Sequence, residues 1–212
     1  MTNEPEAARL YLVTPVAFDA QRHVPALAAM LATGAVACLR LDLGEGADED
    51  AWLRAANHLL PVCHAADVAL VIAEHHRLVR PLGLDGVHLG RSRTPMRDVR
   101  KALGRDAIVG AFGGAERHRA MSLAEAGADY VALGPVRVMG ALGDGTAAPD
   151  ELFQWWSEMI ETPVVAEGGV TPEDARRLGA IADFIVPDPA LVWDAPDPAA
   201  AIADFAAALD AA

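Results

Sequence analysis

Polar and ionisable side chains recur through this sequence at intervals, each group just behind a short apolar run. Thr14 comes first, then Arg40 and Asp42, then Glu74, His75 and His76. His88, Arg91 and Arg93 follow, and Arg137, Glu167 and Asp188 complete the series. Carboxylates beside imidazoles can move protons or bind a cation, and arginines among them can hold an anionic group by paired hydrogen bonds. Arg40, Glu74 and His75 are the candidate catalytic residues. Asp42, His88, Arg91, Glu167 and Asp188 are further candidates for the same site. Each also has a structural role open to it. His88 can be satisfied inside a strand, and His75 and His76 can face water. Arg40 can pair with a neighbour such as Asp42 or Glu74, and Asp188, between two prolines, can cap the next turn.

The run Val165-Ala166-Glu167-Gly168-Gly169-Val170-Thr171-Pro172 suggests an anion site. Two glycines let backbone approach a ligand closely, and N–H groups at the start of a capped helix favour negative charge. Gly168 and Gly169 are therefore candidate phosphate-binding residues. Glu167 and Asp188 oppose that reading. At an effective dielectric of about 20, a like charge near 4 Å costs roughly 4 kcal/mol. The site needs both acids to turn away or to pair with Arg40 or Arg137.

The elements that position these residues follow from the apolar runs. Strands are predicted at 10–14, 36–41, 69–73, 86–89, 108–112, 130–133, 164–166 and 184–186. They are apolar throughout rather than alternating, as in parallel strands covered on both faces. Alanine-rich helical stretches separate them. Four helix-ending phrases, carrying Gly34, Gly83, Gly127 and Gly179, precede every second strand, and each glycine suits the left-handed residue that closes a helix. Thr171-Pro172 and Thr94-Pro95 read as an N-cap with proline at the first helical position. The pattern predicts a (β/α)8 TIM barrel, one domain over 1–212, with chemistry at the carboxyl ends of its strands. The glycine-bearing stretch Arg137–Ala148 has the composition of a lid, and equally of a disordered surface loop.

Composition narrows the function. The 212 residues carry a net charge of −13, which repels nucleic acid. No apolar run approaches the ~20 residues that cross a bilayer, and the polar start has no leader pattern, so a soluble cytoplasmic chain without a membrane partner is expected. Cys38 and Cys63 sit in apolar surroundings and read as buried reduced thiols. Trp155 and Trp156 open an amphipathic helix, one suited to the core and the other to a homodimer contact.

Five phrases in order carry a specific resemblance: Leu10-Tyr11-Leu12-Val13-Thr14, Gly86-Val87-His88-Leu89-Gly90, Gly127-Ala128-Asp129-Tyr130-Val131, Leu133-Gly134-Pro135-Val136 and Gly168-Gly169-Val170-Thr171-Pro172. Together they resemble the family of thiamine-phosphate synthase and thiazole tautomerase over nearly the whole chain. The resemblance implies coupling of a pyrimidine methyl pyrophosphate to a thiazole phosphate, with Mg2+ as cofactor. It also implies small, phosphorylated ligands as the partners.

The chain departs from the family pattern at the chemical positions. The family places glutamine, arginine and lysine on alternate residues of strand 2, whereas this chain has Cys38, Arg40 and Asp42. Ala73-Glu74 stands where the family has Asn-Asp, which leaves Glu74 as the one candidate for Mg2+. Gly90-Arg91-Ser92-Arg93 brings arginines where a second magnesium carboxylate belongs, and Phe112-Gly113-Gly114 stands in place of hydroxyl residues. Lys101 is the only lysine and lies in the helix after strand 4, away from the loop where the family carries one. The tautomerase histidine would fall at Pro135. Three readings follow: a divergent synthase, a family barrel acting on a different small molecule, and a non-catalytic binding protein.

Overall fold

The computed structural model describes residues 7–91, 94–140 and 142–212. Arg93, one of the expected site residues, lies outside them, as do Ser92 and Ala141. The strands are β1 (Arg9–Val13), β2 (Val36–Leu41), β3 (Ala69–Ala73), β4 (Gly86–Leu89), β5 (Ile108–Gly114), β6 (Tyr130–Leu133), β7 (Val164–Val170) and β8 (Phe184–Pro187). Each pairs in parallel with the next, and β8 returns to β1, so the sheet closes into a (β/α)8 barrel. Around it lie α1 (Ala20–Leu31), α2 (Glu49–Ala65), α3 (Val79–Leu82), α4 (Met96–Leu103), α5 (Arg117–Glu125), α6 (Asp150–Met159), α7 (Pro172–Leu178), α8 (Pro189–Trp193) and α9 (Pro198–Asp210).

Strand parity sorts the side chains. Successive residues of a strand point to opposite faces, so Leu10 and Leu12 pack outward under the helices while Tyr11 and Val13 point into the barrel. The same alternation turns Cys38, Val71, Phe112, Tyr130, Ala132, Val165 and Val186 inward, where they form one interior cluster. Residues two positions further along the inward rows form the upper end of the barrel. They include Arg40 after Cys38, Ala73 after Val71 and Glu167 after Val165, and His88 joins them from β4. Arg40, His88 and Glu167 are polar yet 6%, 3% and 5% exposed.

The repeated phrases have a shared task. Asp85, Asp129 and Asp183 each stand just before an even-numbered strand. Their carboxylates accept the backbone N–H of Leu70, Val109 and Val164 respectively, each at 2.7 Å. Each aspartate thus satisfies an N–H near the start of the preceding strand, where the ladder has no further donor or acceptor to offer. Gly34, Gly83 and Gly127 adopt the left-handed conformation expected of them, with φ of 76°, 68° and 99°. Gly179 does not: its φ is −61°. A Cβ there would lie 2.9 Å from that of Ala212 and 3.0 Å from Leu209, so close packing against α9 is what requires glycine.

Six strands fall within one residue of their predicted bounds, whereas β5 and β7 run on to Gly114 and Val170. Glycines carry both extensions and end the apolar pattern early. β7 stays paired with β8 by shifting register between Ala166 and Val170. At the start of α4, Pro95 occupies the N-cap, one position earlier than expected. Trp156 is buried and its Nε1 donates to the Thr162 carbonyl at 2.7 Å, so it is the core member of the tryptophan pair. Trp155 is partly buried and carries the Arg117 guanidinium 4.5 Å from its ring centre.

Gly110 shows how tightly the interior is filled, since a Cβ built there would fall inside the Tyr130 ring. Gly110→Ala is expected to destabilise the fold by about 1–3 kcal/mol through overpacking. Urea denaturation monitored by circular dichroism will read the change; a wild-type midpoint would show that the ring can move aside.

Candidate active site

The carboxyl ends of the strands enclose a cavity of about 500 Å³. Arg40, Asp42, Glu74, His88, Arg91 and Glu167 line it together, so the barrel gathers six of the predicted site residues. Four residues that the sequence reading did not select join them: Phe112 from β5, Glu116 and Arg119 around the start of α5, and Asp144 from the loop after β6. Spacing from the carboxyl end of β5 could have flagged Glu116. Arg119 and Asp144 lie further from any strand end and left no such signal.

Arg40 and Glu167 meet across the barrel. One guanidinium nitrogen donates to Oε2 at 3.1 Å and the other to Oε1 at 2.5 Å, a bidentate pair. Arg40 thus pairs with Glu167 rather than with Asp42 or Glu74. Burial works against the arginine's charge, but Glu167 and the oxygen of Tyr11 outweigh it and hold the group firmly protonated. The pair also answers the objection that Glu167 would repel an anion, because its charge is already met.

Glu74 is held in an unusual backbone conformation. Its φ is 63°, uncommon for any residue but glycine, asparagine or aspartate. Its Oε1 accepts the N–H groups of Gly90 at 2.8 Å and Arg91 at 2.7 Å, which fixes the carboxylate at the head of β4. Its Oε2 is shielded from solvent and has no hydrogen-bond partner among the described residues. Arg91 extends toward Asp42 and Glu45, 3.6 Å from each. Asp42 in turn accepts the Gly44 N–H at 3.0 Å.

The other predicted residues lie apart. His75 lines a neighbouring cleft of about 270 Å³ and packs its ring 4.6 Å from that of Trp52. Asp188 accepts the Ala190 N–H at 2.9 Å and so caps α8. Gly168 and Gly169 do not line the cavity. Both have positive φ, of 98° and 74°, and the root of the loop after β6 packs directly on them. A Cβ on Gly168 would lie 2.6 Å from the Pro135 Cα, and one on Gly169 would lie 3.2 Å from the Arg137 Cβ. The carbonyls of Glu167 and Gly168 accept the N–H groups of Val136 and Arg137. Positive φ at both positions, with the Pro135 backbone against Gly168 and the Arg137 side chain against Gly169, thus gives a structural reason for both glycines.

Arg137 does not reach Glu167 or Asp188. Its Nε donates to Asp174 at 2.6 Å, and Asp174 also holds Thr171 and Arg177. The expected cap of α7 is present as a full capping box between Thr171 and Asp174. Burial alone would raise the Asp174 carboxyl, but its hydrogen bonds from Arg137, Thr171 and Arg177 prevail and bring it down to about 2. Beyond this strap Leu142 turns inward and joins the interior cluster, so the loop covers one side of the mouth.

Among the described residues, three arginines and five carboxylates line the cavity, an excess of two negative charges. His88 adds none: burial, then Arg40 and Arg91, push its imidazole well below the ordinary value and keep it neutral. The cysteines take no part, since burial pushes both thiols up to about 12. Among the described residues no three His, Cys, Asp or Glu side chains converge as a ready-made metal site. No described helix is long and apolar enough to cross a membrane.

Comparison with known proteins agrees with this architecture. The sequence profile described as thiamine monophosphate synthase matches residues 10–185. A thiamine-phosphate synthase of Rhodospirillum centenum is 47% identical over 199 residues, covering 93% of this chain and 95% of its own. One of Erythrobacter litoralis is 38% identical, covering 96% of each. Among solved structures, the thiamine phosphate pyrophosphorylase of Pyrococcus furiosus superposes with a TM-score of 0.81 at 21% identity, covering 95% of each chain.

Two substitutions test the electrostatic frame. Glu167→Gln leaves a buried guanidinium without its counter-charge and is expected to cost about 3–5 kcal/mol in chemical denaturation; a loss below about 1 kcal/mol would mean that water reaches Arg40. Asp174 has a depressed carboxyl, so its contribution is complete above about pH 4 and is lost as pH falls toward about 2. Asp174→Asn is therefore expected to remove that part of the acid-induced loss of stability, read from thermal melts between those limits.

Proposed function

The chain belongs to the thiamine monophosphate synthase family, and from that premise we propose that it joins a pyrimidine methyl diphosphate to a thiazole phosphate. In this reaction the bond between the pyrimidine methylene and the diphosphate oxygen breaks. The thiazole nitrogen takes the methylene, and diphosphate leaves. The observation that carries the assignment to this cavity is Glu74: a carboxylate anchored by two backbone N–H groups, with its second oxygen buried and without a partner among the described residues.

That oxygen fits a Mg2+ ion, which is commonly held by one or two carboxylates while substrate phosphates complete its shell. Asp42 lines the same cavity and supplies a second carboxylate. Bound there, the ion would neutralise the diphosphate leaving group. The excess of two negative charges supports the same reading, because a bare diphosphate would be repelled. Arg119 and Arg91 offer further positive charge at the mouth. Phe112 gives the cavity an apolar wall on which an aromatic ring can rest. Leu142 and the rest of the loop after β6 exclude water from one side. His75 serves its neighbouring cleft and takes no direct part, and the roles first assigned to Gly168 and Gly169 pass to the mouth arginines.

Residues 1–212 are read as one domain, with the strands spanning Arg9 to Pro187. A cytoplasmic location belongs to the same proposal, because it suits small phosphorylated substrates. The face around Trp155 and the exposed Met159 is the candidate homodimer contact.

The test is formation of thiamine phosphate from both precursors with excess Mg2+. Glu74→Gln keeps an oxygen for the Gly90 and Arg91 N–H groups, removes the charge and replaces the oxygen offered to the metal with an amide NH2. It is expected to lower the rate by about 10²–10³-fold, the scale of losing one focused electrostatic contact. Chelation should abolish turnover, and added Mg2+ should restore it. No product from folded protein would overturn the reading.

A further inference from the structure

Positive charge in the active-site cavity is not equally available. Three arginines line the cavity among the described residues, and two of them already face carboxylates. Arg40 gives both terminal nitrogens to Glu167. Arg91 lies 3.6 Å from Asp42 and 3.6 Å from Glu45. Arg119 is the third. It has no ion-pair partner among the described residues, although Glu116 and Asp144 line the same cavity. Asp144 turns to its own loop, where it accepts the Thr146 N–H at 2.9 Å. Lys101, the chain's one lysine, does not line the cavity.

Local structure holds Arg119 at the mouth. β5 runs on through Gly113 and Gly114, and α5 begins at Arg117. Ala120 of α5 is fully buried, and a Cβ on Gly113 would lie 3.0 Å from the Ala120 Cβ. That contact seats the first turn of α5 on the barrel and fixes how the helix is rotated. Arg119 precedes Ala120, and helix side chains lean back toward the N-terminus. The guanidinium is therefore carried toward the strand ends, where it lines the cavity. The first turn of α5 contains no acid, and Glu116 makes no side-chain cap. The N–H groups of Arg117, His118 and Arg119 have no acceptor among the described residues. By contrast α7, where an anion was first expected, is closed by the Thr171–Asp174 capping box.

We propose that Arg119 is a specificity-determining residue that binds a phosphate group of the substrate, on the wall formed by β5 and α5 and apart from the carboxylate that takes the metal. The guanidinium fork meets two phosphate oxygens at once. In a cavity of net negative charge, the one arginine without a carboxylate partner decides where such an anion comes to rest. Phe112, at the carboxyl end of β5, lies next to the metal carboxylate: a Cβ on Gly90 would be 3.2 Å from Glu74 Oε1 and 4.0 Å from the Phe112 Cβ. A ring resting on Phe112 would have Glu74 on its β4 side and the start of α5 beyond it. The phosphate can belong to the diphosphate of one substrate or to the monophosphate of the other, since both offer the same oxygens. The identity of the substrates rests on the proposed function; the availability of Arg119 does not.

Calorimetric titration with two probes separates the sources: inorganic diphosphate with excess Mg2+, and thiazole phosphate. Arg119→Gln is expected to weaken at least one of them by roughly 10–100-fold, the scale of hydrogen bonds to one charged group. The thermal melt should not move, because the side chain is exposed and has no partner to lose. A loss for diphosphate assigns Arg119 to the leaving group, and a loss for thiazole phosphate assigns it to the second substrate. Arg97→Gln removes the same charge from an exposed position on α4 outside the cavity and is expected to bind both probes as wild type does. Unchanged affinities in Arg119→Gln, or an equal loss in Arg97→Gln, overturn the proposal. If the wild type makes thiamine phosphate and Arg119→Gln binds both probes normally, the synthase reading stands and Arg119 leaves it. Arg119-dependent binding without turnover has the reverse meaning. Wild-type protein that binds neither probe overturns both.

Discussion

A buried guanidinium has to meet a buried carboxylate, and much of this molecule is arranged around the place where Arg40 meets Glu167. Taking either charge from water alone would cost several kcal/mol, so β2 and β7, with β1 and β8 between them, hold the two groups where both oxygens are bonded. The consequences run outward. Arg40 stands 5.7 Å above the Tyr11 ring and bears on His88, helping to hold it neutral. Glu167 fixes the end of β7, and its carbonyl and that of Gly168 receive the next loop's Val136 and Arg137. Arg137 then reaches α7 through Asp174, so the ion pair at the barrel axis and the strap over its rim are joined by a few residues of backbone.

That arrangement explains which parts were legible in the sequence. The strands were, because an apolar run of four to seven residues between helices admits little else in a parallel sheet. The barrel ends also were, since side chains following those runs must crowd one mouth. The partner of Arg40 was left open, with Glu167 one possibility beside Asp42 and Glu74. Asp42 and Glu74 are nearer in sequence, but Asp42 turns to its own loop and Glu74 to the head of β4. Inward parity along β2 and β7 singles out Glu167, and it needs the strand directions before it can be used. The repeated Asp85, Asp129 and Asp183 were visible as a repeat, while their task as acceptors for neighbouring strands emerged only with the pairing.

Gly168 and Gly169 show a different limit. A Gly-Gly step before a capped helix is equally suited to an anion and to a close-packed loop, because both demand backbone without a side chain. Here the loop after β6 occupies the approach, and the glycines' positive φ lets β7 keep its pairing with β8 through the register shift. Gly179 makes the same point in reverse. Its place at a helix end suggested a left-handed turn, whereas the contact with Ala212 and Leu209 decides the residue.

The departures from the family pattern change the charge of the mouth in both directions. Loss of lysines and gain of Asp42 make it more negative, Arg91 and Arg93 in place of a carboxylate oppose that, and the described lining still carries two more carboxylates than arginines. A site of that sign cannot draw a diphosphate by its own field, and its specificity shifts toward a ligand that arrives with a divalent cation. Two groups suit that demand. Glu74 keeps one oxygen without a partner among the described residues, and local bonding has already oriented it at no further entropic cost on binding. Arg119 has no ion-pair partner among the described residues, so its charge is not already spent within the protein. A bare diphosphate finds only scattered positive charge here, while a metal-bound one meets a fixed carboxylate and a free guanidinium together. The same substitutions that remove the family's usual phosphate grip thus make the metal a larger part of substrate recognition.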